Sequence, residues 1–209
     1  MNTRYIKFWW IKRAIDIVGA ITGLFIFSPV ILVLALAIKH EDGGAVFYSQ
    51  KRIGQNNEAF TIWKFRSMVE DAHERRYKLV SQKINSESLT FKVRDDPRVT
   101  NIGKFMRNHS LDEIPQFWNV LIGDMSLVGP RPALPEEVSE YKSDKEFSRL
   151  NVLPGLSGLW QVSGRSDLPY QEMIKLDAYY VENWSLFLDF SILAKTVLQM
   201  FATANNGAY

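Results

Sequence analysis

One uninterrupted apolar run near the N-terminus limits what this chain can fold into. Residues 14–38 read AIDIVGAITGLFIFSPVILVLALAI, and no charged residue occurs from Ile17 to Ile38. A helix over these residues would be about 37 Å long, whereas the apolar core of a bilayer is about 30 Å thick. A signal peptide has a shorter apolar region, and the rest of a 209-residue chain could hardly enclose such a helix. The run therefore predicts a membrane segment.

The flanks of the run are those of a membrane interface. Four cations and four aromatic residues precede it, and Lys39 and His40 follow it. With a single acid, residues 1–38 carry a net charge of +3, whereas residues 39–209 carry −1. Because the basic excess of the chain lies beside the membrane segment, we expect no nucleic-acid partner.

The dipeptide Ser28-Pro29 lies near the middle of the run. Proline removes one backbone hydrogen bond and crowds the preceding turn, so helices kink there. This dipeptide is compatible with a spanning helix that has a mild kink. It is also compatible with a hairpin that returns to the membrane face from which it entered. The residues alone favour the spanning helix. Asp16 follows Lys12 and Arg13 by one turn, which indicates a charge-paired interfacial residue.

The chain after residue 40 is typical of one compact α+β domain. Of all residues, 46% are hydrophobic and 23% charged, as in folded proteins, and the absence of cysteine excludes disulfide scaffolds, Cys-ligated zinc and thiol catalysis. Two extended stretches, Ala45–Gln50 and Ala59–Phe65, flank a turn-forming cluster and predict a β-hairpin. Helices are predicted over Val69–Ser81, Asn101–Arg107, Ser110–Leu121, Glu136–Leu150, Tyr170–Val181 and Phe190–Ala202.

Asp112 and Glu113 are the first candidates for chemistry. Ser110-Leu111-Asp112-Glu113 fits the S-x-x-E capping box, and a structural role at a helix start accounts for both acids. The same position keeps a carboxylate ionised, and an ionised carboxylate can be a nucleophile or a metal ligand. Taken alone, the pattern favours the cap.

Isolated arginines and isolated acids are the second set of candidates. Arg131 stands between Pro130 and Pro132, and a guanidinium on so stiff a loop has a fixed direction that suits phosphate binding. A surface ion pair is the alternative for each arginine. Acids embedded in apolar sequence must be capped or paired if buried, and helix N-caps are the simpler interpretation for Asp124 and Asp189. The remaining members are Arg107, Arg165 and Asp177.

Several motifs in a fixed order resemble the bacterial sugar transferases, a family of monotopic phosphoglycosyl transferases. The most specific is residues 110–132, SLDEIPQFWNVLIGDMSLVGPRP. Before it stand Lys12-Arg13 with Asp16, Ser28-Pro29 and residues 64–68, KFRSM. After it stand residues 154–165, PGLSGLWQVSGR, and residues 176–181, LDAYYV. The resemblance covers nearly the whole chain.

The resemblance implies transfer of a sugar 1-phosphate from a nucleotide-diphosphate sugar to polyprenyl phosphate, with release of the nucleoside monophosphate. It implies a two-step covalent mechanism that requires Mg²⁺. Asp112 would be the nucleophile and, with Glu113, would hold the metal. The substrate- and phosphate-binding positions that it implies are Lys64, Arg66, Arg107, Arg131, Arg165, Asp177 and Asp189.

The resemblance also reverses the preference for a spanning helix. It implies a re-entrant helix–break–helix over residues 1–40, broken at Ser28-Pro29, and a cytoplasmic catalytic domain over residues 41–209. Both ends of the segment would then face the cytoplasm at the bacterial inner membrane, where exopolysaccharide, capsule or lipopolysaccharide synthesis begins. A homodimer is a further expectation.

Within the family, three details favour the branch that uses UDP-glucose or UDP-galactose with undecaprenyl phosphate: residues 158–165, Asn183-Trp184-Ser185 and residues 206–209. An N-acetylated amino sugar as substrate and a non-catalytic membrane scaffold are the alternatives. Larger members of this branch carry extra N-terminal membrane helices, so the chain is expected to be either a natural short form or a catalytic core.

Overall fold

A 40-residue helix, α1 (Thr3–Asp42), contains the whole apolar run and extends beyond it at both ends. The computed structural model of the protein describes residues 3–72, 96–164 and 168–201. In the most apolar 18-residue window of α1 only 17% is buried, so α1 is long and apolar enough to cross a membrane and is not an enclosed core helix. One narrow stripe of α1 is buried: Tyr5, Lys12, Asp16, Ala20, Gly23, Leu34 and Ile38.

The helical backbone of α1 continues through Ser28-Pro29, and a re-entrant course with a bend at these residues stays a prediction. Pro29 lacks the N–H that would donate to the Phe25 carbonyl one turn earlier. The Ser28 hydroxyl donates to that carbonyl instead, at 2.7 Å. The serine therefore restores the bond that the proline removes, and the helix continues.

The predicted β-hairpin is confirmed. Strands β1 (Phe47–Ile53) and β2 (Ala59–Phe65) pair in antiparallel register, with Phe47 opposite Phe65 and Ile53 opposite Ala59. The outer edge of β2 is closed by one buried amide, because Asn119 accepts from the Trp63 N–H at 3.0 Å and donates to the Thr61 carbonyl at 2.7 Å. The side chain of Asn119 thus takes the place of a neighbouring strand.

The rest of the described chain is mainly short helices. Strands β3 (Ser126–Val128) and β4 (Gly155–Ser157) pair in parallel, with Ser126 opposite Gly155. The α+β class and the helix-rich content are therefore confirmed. In chain order the elements are α2 (Asn101–Asn108), α3 (Gln116–Ile122), β3 (Ser126–Val128), α4 (Pro135–Ser139), α5 (Asp144–Ser148), β4 (Gly155–Ser157), α6 (Tyr170–Glu182) and α7 (Leu186–Phe201).

Three predicted helices differ from those observed. The segment predicted as Ser110–Leu121 starts with a 3₁₀ turn over Leu111–Glu113 and is α-helical only over Gln116–Ile122. The segment predicted as Glu136–Leu150 divides into α4 and α5, because Ser143 and Glu146 form a capping box that starts a new helix there. The last helix begins at Leu186 rather than Phe190, after Ser185 accepts from the Leu188 N–H. The segment predicted as Val69–Ser81 lies mostly outside the described residues.

Small residues let α1 approach the domain closely. A β-carbon added at Gly23 would lie 2.7–2.9 Å from three ring atoms of Phe117 on α3, and one added at Gly19 would lie 2.5 Å from Leu127. Fully buried Ala20 lies between them along the helix. This spacing of small residues is the pattern that closely packed membrane helices use.

Replacing Gly23 with alanine is expected to lower the free energy of unfolding by about 1–3 kcal/mol, because the added methyl overpacks the Phe117 contact. Thermal unfolding of the detergent-solubilised protein measures the loss. Thr22→Val, on the exposed side of the same turn, is the matched control and is expected to leave stability within about 0.5 kcal/mol. Equal effects of the two substitutions would contradict the close packing.

Candidate active site

The segment that carries the acid pair does not form the predicted capping box. Ser110 adopts a left-handed conformation, with φ 55° and ψ 23°, and makes no side-chain capping bond. An N-cap residue normally needs an extended backbone. Residues Leu111–Glu113 form a 3₁₀ turn, and α3 begins only at Gln116. The capping interpretation of the pair is therefore wrong.

Asp112 and Glu113 face a cation instead. The Lys64 ammonium on β2 lies 2.6 Å from a Glu113 carboxylate oxygen. Burial raises the pKa of the Asp112 carboxyl; Lys64 opposes this shift, Glu113 adds to it, and Arg107 opposes it. Asp112 is thus a half-buried carboxylate flanked by positive charge, an environment in which a carboxylate can attack an anionic centre.

Arg107 is held on the last turn of α2. Its Nε donates to the Ser67 hydroxyl at 2.9 Å. Helix α2 can approach this segment because residue 103 is glycine: a β-carbon there would lie 2.0 Å from the Ser67 carbonyl oxygen. The guanidinium is therefore fixed beside the acid pair, where the sequence predicts a phosphate-binding group.

Arg131 belongs to a second cationic group, whose other member is Arg52; Lys64 and Arg107 at the acid pair are the first. Arg131 pairs with Glu137 at 3.0 Å, and Glu137 also accepts from the Leu134 N–H at 2.9 Å. Burial alone would raise the pKa of Glu137, but Arg131, the Leu134 N–H and Arg52 together lower it. Glu137 is therefore ionised and holds Arg131 in one orientation.

Arg52 belongs to this second group, and reasoning from the sequence missed it. It donates to the Pro132 carbonyl at 3.2 Å, and its buried Nε has no hydrogen-bond partner among the described residues. Burial, with a smaller effect from Arg131, lowers the pKa of Arg52 to about 10, so it stays charged at neutral pH. In the hairpin register Arg52 and Lys64 share one face. The predicted strand ended at Gln50; a longer strand would have revealed Arg52.

Asp177 lies behind Arg131, on the far side of its backbone. Arg149 bridges the two, with its Nε 2.9 Å from Asp177 and one terminal nitrogen 3.1 Å from the Arg131 carbonyl. Burial raises the pKa of Asp177 to about 6, although Arg149 lowers it. Asp177 is thus placed to position the Arg131 loop rather than to contact the acid pair. Arg149 had no signal in the sequence beyond its charge.

Asp189 and Asp16 join α1 to the domain. Asp189 accepts from Lys12 at 2.7 Å, Tyr180 at 2.7 Å and Trp184 at 3.1 Å, so the N-cap interpretation of Asp189 is wrong. Asp16 is only 2% exposed and accepts from the Ser126 hydroxyl and the Leu127 N–H. The interpretation of Asp16 as a charge-paired interfacial residue is therefore wrong as well.

The remaining candidates lie apart from the acid pair. Arg66 pairs with Asp42 at the end of α1, so this ion pair holds that helix end to the residue that follows β2. Asp124 accepts from the Asn119 amide at 3.2 Å and follows the C-cap Gly123, which rules out the predicted N-cap. Arg165 lies outside the described residues.

The donors available for a metal are two adjacent carboxylates. Within the described ranges, no group of three or more His, Cys, Asp or Glu side chains comes together. Mg²⁺ commonly takes one or two carboxylates and completes its shell with substrate phosphate oxygens and water. The carboxylates of Asp112 and Glu113 fit such an ion when it arrives with a diphosphate substrate.

Comparison with known proteins finds relatives that match most of the chain. The profile of a family described as bacterial sugar transferase matches residues 7–203. Exopolysaccharide production protein ExoY of Rhizobium meliloti is 42% identical over 89% of the chain and 83% of its own length. Galactosyl transferase CpsE of Streptococcus agalactiae is 46% identical over 89% of the chain. Undecaprenyl-phosphate galactose phosphotransferase of Salmonella typhimurium is 41% identical over 96%.

These matches differ in how much of each relative they include. The chain spans most of ExoY but only 41% of CpsE and 42% of the Salmonella protein. Because each match covers 89% or more of this chain, each includes the acid pair and both cationic groups. The chain belongs to the bacterial sugar transferase family.

Proposed function

We propose that this protein transfers a hexose 1-phosphate from a UDP-hexose to undecaprenyl phosphate, forming an undecaprenyl-diphospho-sugar and UMP. The observation that carries the proposal is the half-buried Asp112 carboxylate beside Glu113, with Lys64 and Arg107 around the pair. The name of the Salmonella relative, undecaprenyl-phosphate galactose phosphotransferase, supports it.

In the proposed reaction, the Asp112 carboxylate attacks the phosphorus next to the sugar. The bond from that phosphorus to the bridging oxygen breaks, and UMP leaves with the electron pair. An oxygen of undecaprenyl phosphate then attacks the same phosphorus and releases Asp112. Two displacements in succession replace one direct transfer between substrates of very different polarity.

The cations of the site offset the charge of the diphosphate. Lys64 and Arg107 lie beside the acid pair, and Arg52 and Arg131 form the second group. Fixed guanidinium groups bind phosphate oxygens in a defined direction and stabilise charge that grows during transfer. Mg²⁺ held by Asp112 and Glu113 would supply further charge neutralisation on the diphosphate.

Glucose and galactose are the proposed sugars. Two of the similar proteins, CpsE and the Salmonella protein, are named for galactose. An N-acetylated amino sugar is the alternative, and UMP release from a panel of UDP-sugars distinguishes them. Turnover only with N-acetylated donors would exclude the hexose proposal.

We further propose that α1 enters the membrane from one side and keeps both ends at the cytoplasmic face of the inner membrane. Contacts to the domain at both ends of α1 support this placement. Near its start, the Tyr5 hydroxyl accepts from the Leu153 N–H at 3.5 Å, and Asp42 at its end pairs with Arg66. A helix that crossed the bilayer would carry one of these ends away from the domain, since α1 is about 60 Å long and the apolar core about 30 Å.

The identity of the released nucleotide tests the proposed reaction. With UDP-glucose or UDP-galactose, undecaprenyl phosphate and Mg²⁺, we expect UMP as the product. Chelation with EDTA is expected to stop its release, and added Mg²⁺ to restore it. Release of UDP would indicate ordinary glycosyl transfer, and no nucleotide release with any UDP-sugar would favour the membrane scaffold.

A further inference from the structure

An apolar cavity of about 310 Å³ lies between α1, the hairpin and the start of α3. Ligand pockets in proteins have volumes of roughly 300–1,000 Å³, so this cavity is at the lower end of that range. Among the residues that the structure describes, none that lines this cavity is charged. The lining residues are Leu24, Ile31, Phe47, Trp63, Pro115 and Trp118.

The cavity and the charged site lie on opposite faces of the hairpin. Neighbouring residues of a strand point to opposite faces of the hairpin. In the observed register Trp63 and Phe47 therefore lie on one face, and Lys64 and Tyr48 lie on the other. Lys64 contacts Glu113, and buried Pro115 follows that acid by two residues. The wall between the cavity and the acid pair is therefore one strand and one short stretch of chain.

The cavity is continuous with the apolar surface of α1. Leu24 and Ile31 belong to the membrane segment, and their neighbours Phe25 and Leu32 are 79% and 61% exposed. Trp118, on the opposite wall, is 50% exposed. A molecule dissolved in the bilayer can thus reach the cavity without crossing water.

We propose that this cavity binds the isoprene units next to the phosphate of the polyprenyl phosphate acceptor, an inference that rests on the proposed function. The acceptor joins an apolar chain to an anionic head, and the protein places an apolar cavity next to a cationic group. A UDP-sugar has no comparable apolar part. The volume suits only the first units of the chain, so the rest stays among the lipids.

The test compares variants that empty or fill the cavity. Trp63→Ala and Trp118→Ala remove apolar contacts, and Leu24→Trp fills the space. Each is expected to raise the KM for undecaprenyl phosphate about tenfold or more and to reduce the preference for long over short polyprenyl phosphates. The burst of UMP released without acceptor, and the KM for the UDP-sugar, are expected to stay within about twofold. Trp10→Ala, on α1 outside the cavity, is the matched control for loss of an exposed indole.

A crosslinking measurement on the unmodified protein keeps the test independent of folding and of turnover. A polyprenyl phosphate with a diazirine on its first isoprene unit is expected to label peptides that contain Trp63 or Trp118, and a phosphatidylglycerol with the same group is not. Wild-type KM values in all three variants, or equal labelling by the phospholipid, would overturn the proposal. Absence of a UMP burst in the wild type would instead refute the proposed function.

Discussion

Replacing Asp112 with asparagine is expected to lower turnover by about 10⁴-fold or more, because an amide cannot form the covalent bond to phosphorus. The same substitution is expected to keep or raise the melting temperature. Burial raises the pKa of Asp112, which means that the ionised form destabilises the folded protein at neutral pH. A neutral side chain of the same shape removes that cost. Steady-state UMP release and thermal unfolding measure the two effects.

The control for this prediction is Asp144→Asn, which removes an acid from an exposed position on α5. Its turnover is expected to stay within about twofold of the wild type, because the residue lies on the surface away from special contacts. Turnover by Asp112→Asn at a tenth of the wild-type rate or more would exclude Asp112 as the nucleophile.

The largest stability effect is expected from Lys12→Met. Lys12 and Asp189 form an ion pair at 2.7 Å with side chains only 5% and 10% exposed. Removal of one partner leaves the other charge buried, which costs about 3–5 kcal/mol. For a chain of this size the melting temperature is expected to fall by about 6–20 °C. Because the pair joins α1 to α7, the loss also loosens the membrane helix.

A double-mutant cycle distinguishes loss of the Lys12–Asp189 interaction from non-specific destabilisation of the fold. Lys12→Met with Asp189→Asn is expected to cost less than the sum of the single changes, since neither charge is then left alone. Lys7→Met, at an exposed position of the same helix, is the matched control and is expected to shift the melting temperature by about 2 °C at most. Strict additivity in the cycle would show that the two side chains do not stabilise each other.

The elements that could be predicted from sequence are those with a strong local pattern. The apolar run predicted α1, and two extended stretches around a turn-forming cluster predicted the hairpin, because both signals lie within one short segment of sequence. The acid pair and its flanking arginines were predicted as site residues through their motifs. Their local structure was not, since a left-handed Ser110 replaces the expected cap.

What could not be predicted depends on contacts between distant residues. Lys12 and Asp16 are one turn apart on a helix, a spacing that indicates an ion pair. In the fold Lys12 pairs with Asp189 and Asp16 with Ser126, which lie more than a hundred residues away in each case. Likewise, the Ser28 hydroxyl compensates for Pro29 through an atom whose direction the sequence does not reveal. Tertiary packing decides between such alternatives.

Arg52 and Arg149, at the candidate site, could not be predicted for the same reason. Each is an ordinary arginine in sequence, yet one lies beside Arg131 and the other holds the Arg131 backbone through Asp177. Only the hairpin register and the packing of α6 bring them there. When a site combines side chains from several elements, sequence motifs predict only some of its residues. The fold is needed to find the others.

The most direct test of the account is the mass of the intact protein after incubation with the UDP-hexose and Mg²⁺ alone, without acceptor. We expect the mass to increase by one hexose phosphate, with the adduct on the peptide that contains Asp112, and to return to its starting value when undecaprenyl phosphate is added. An unmodified protein that nevertheless releases UMP once the acceptor is present would contradict the covalent mechanism, as would an adduct on a different residue.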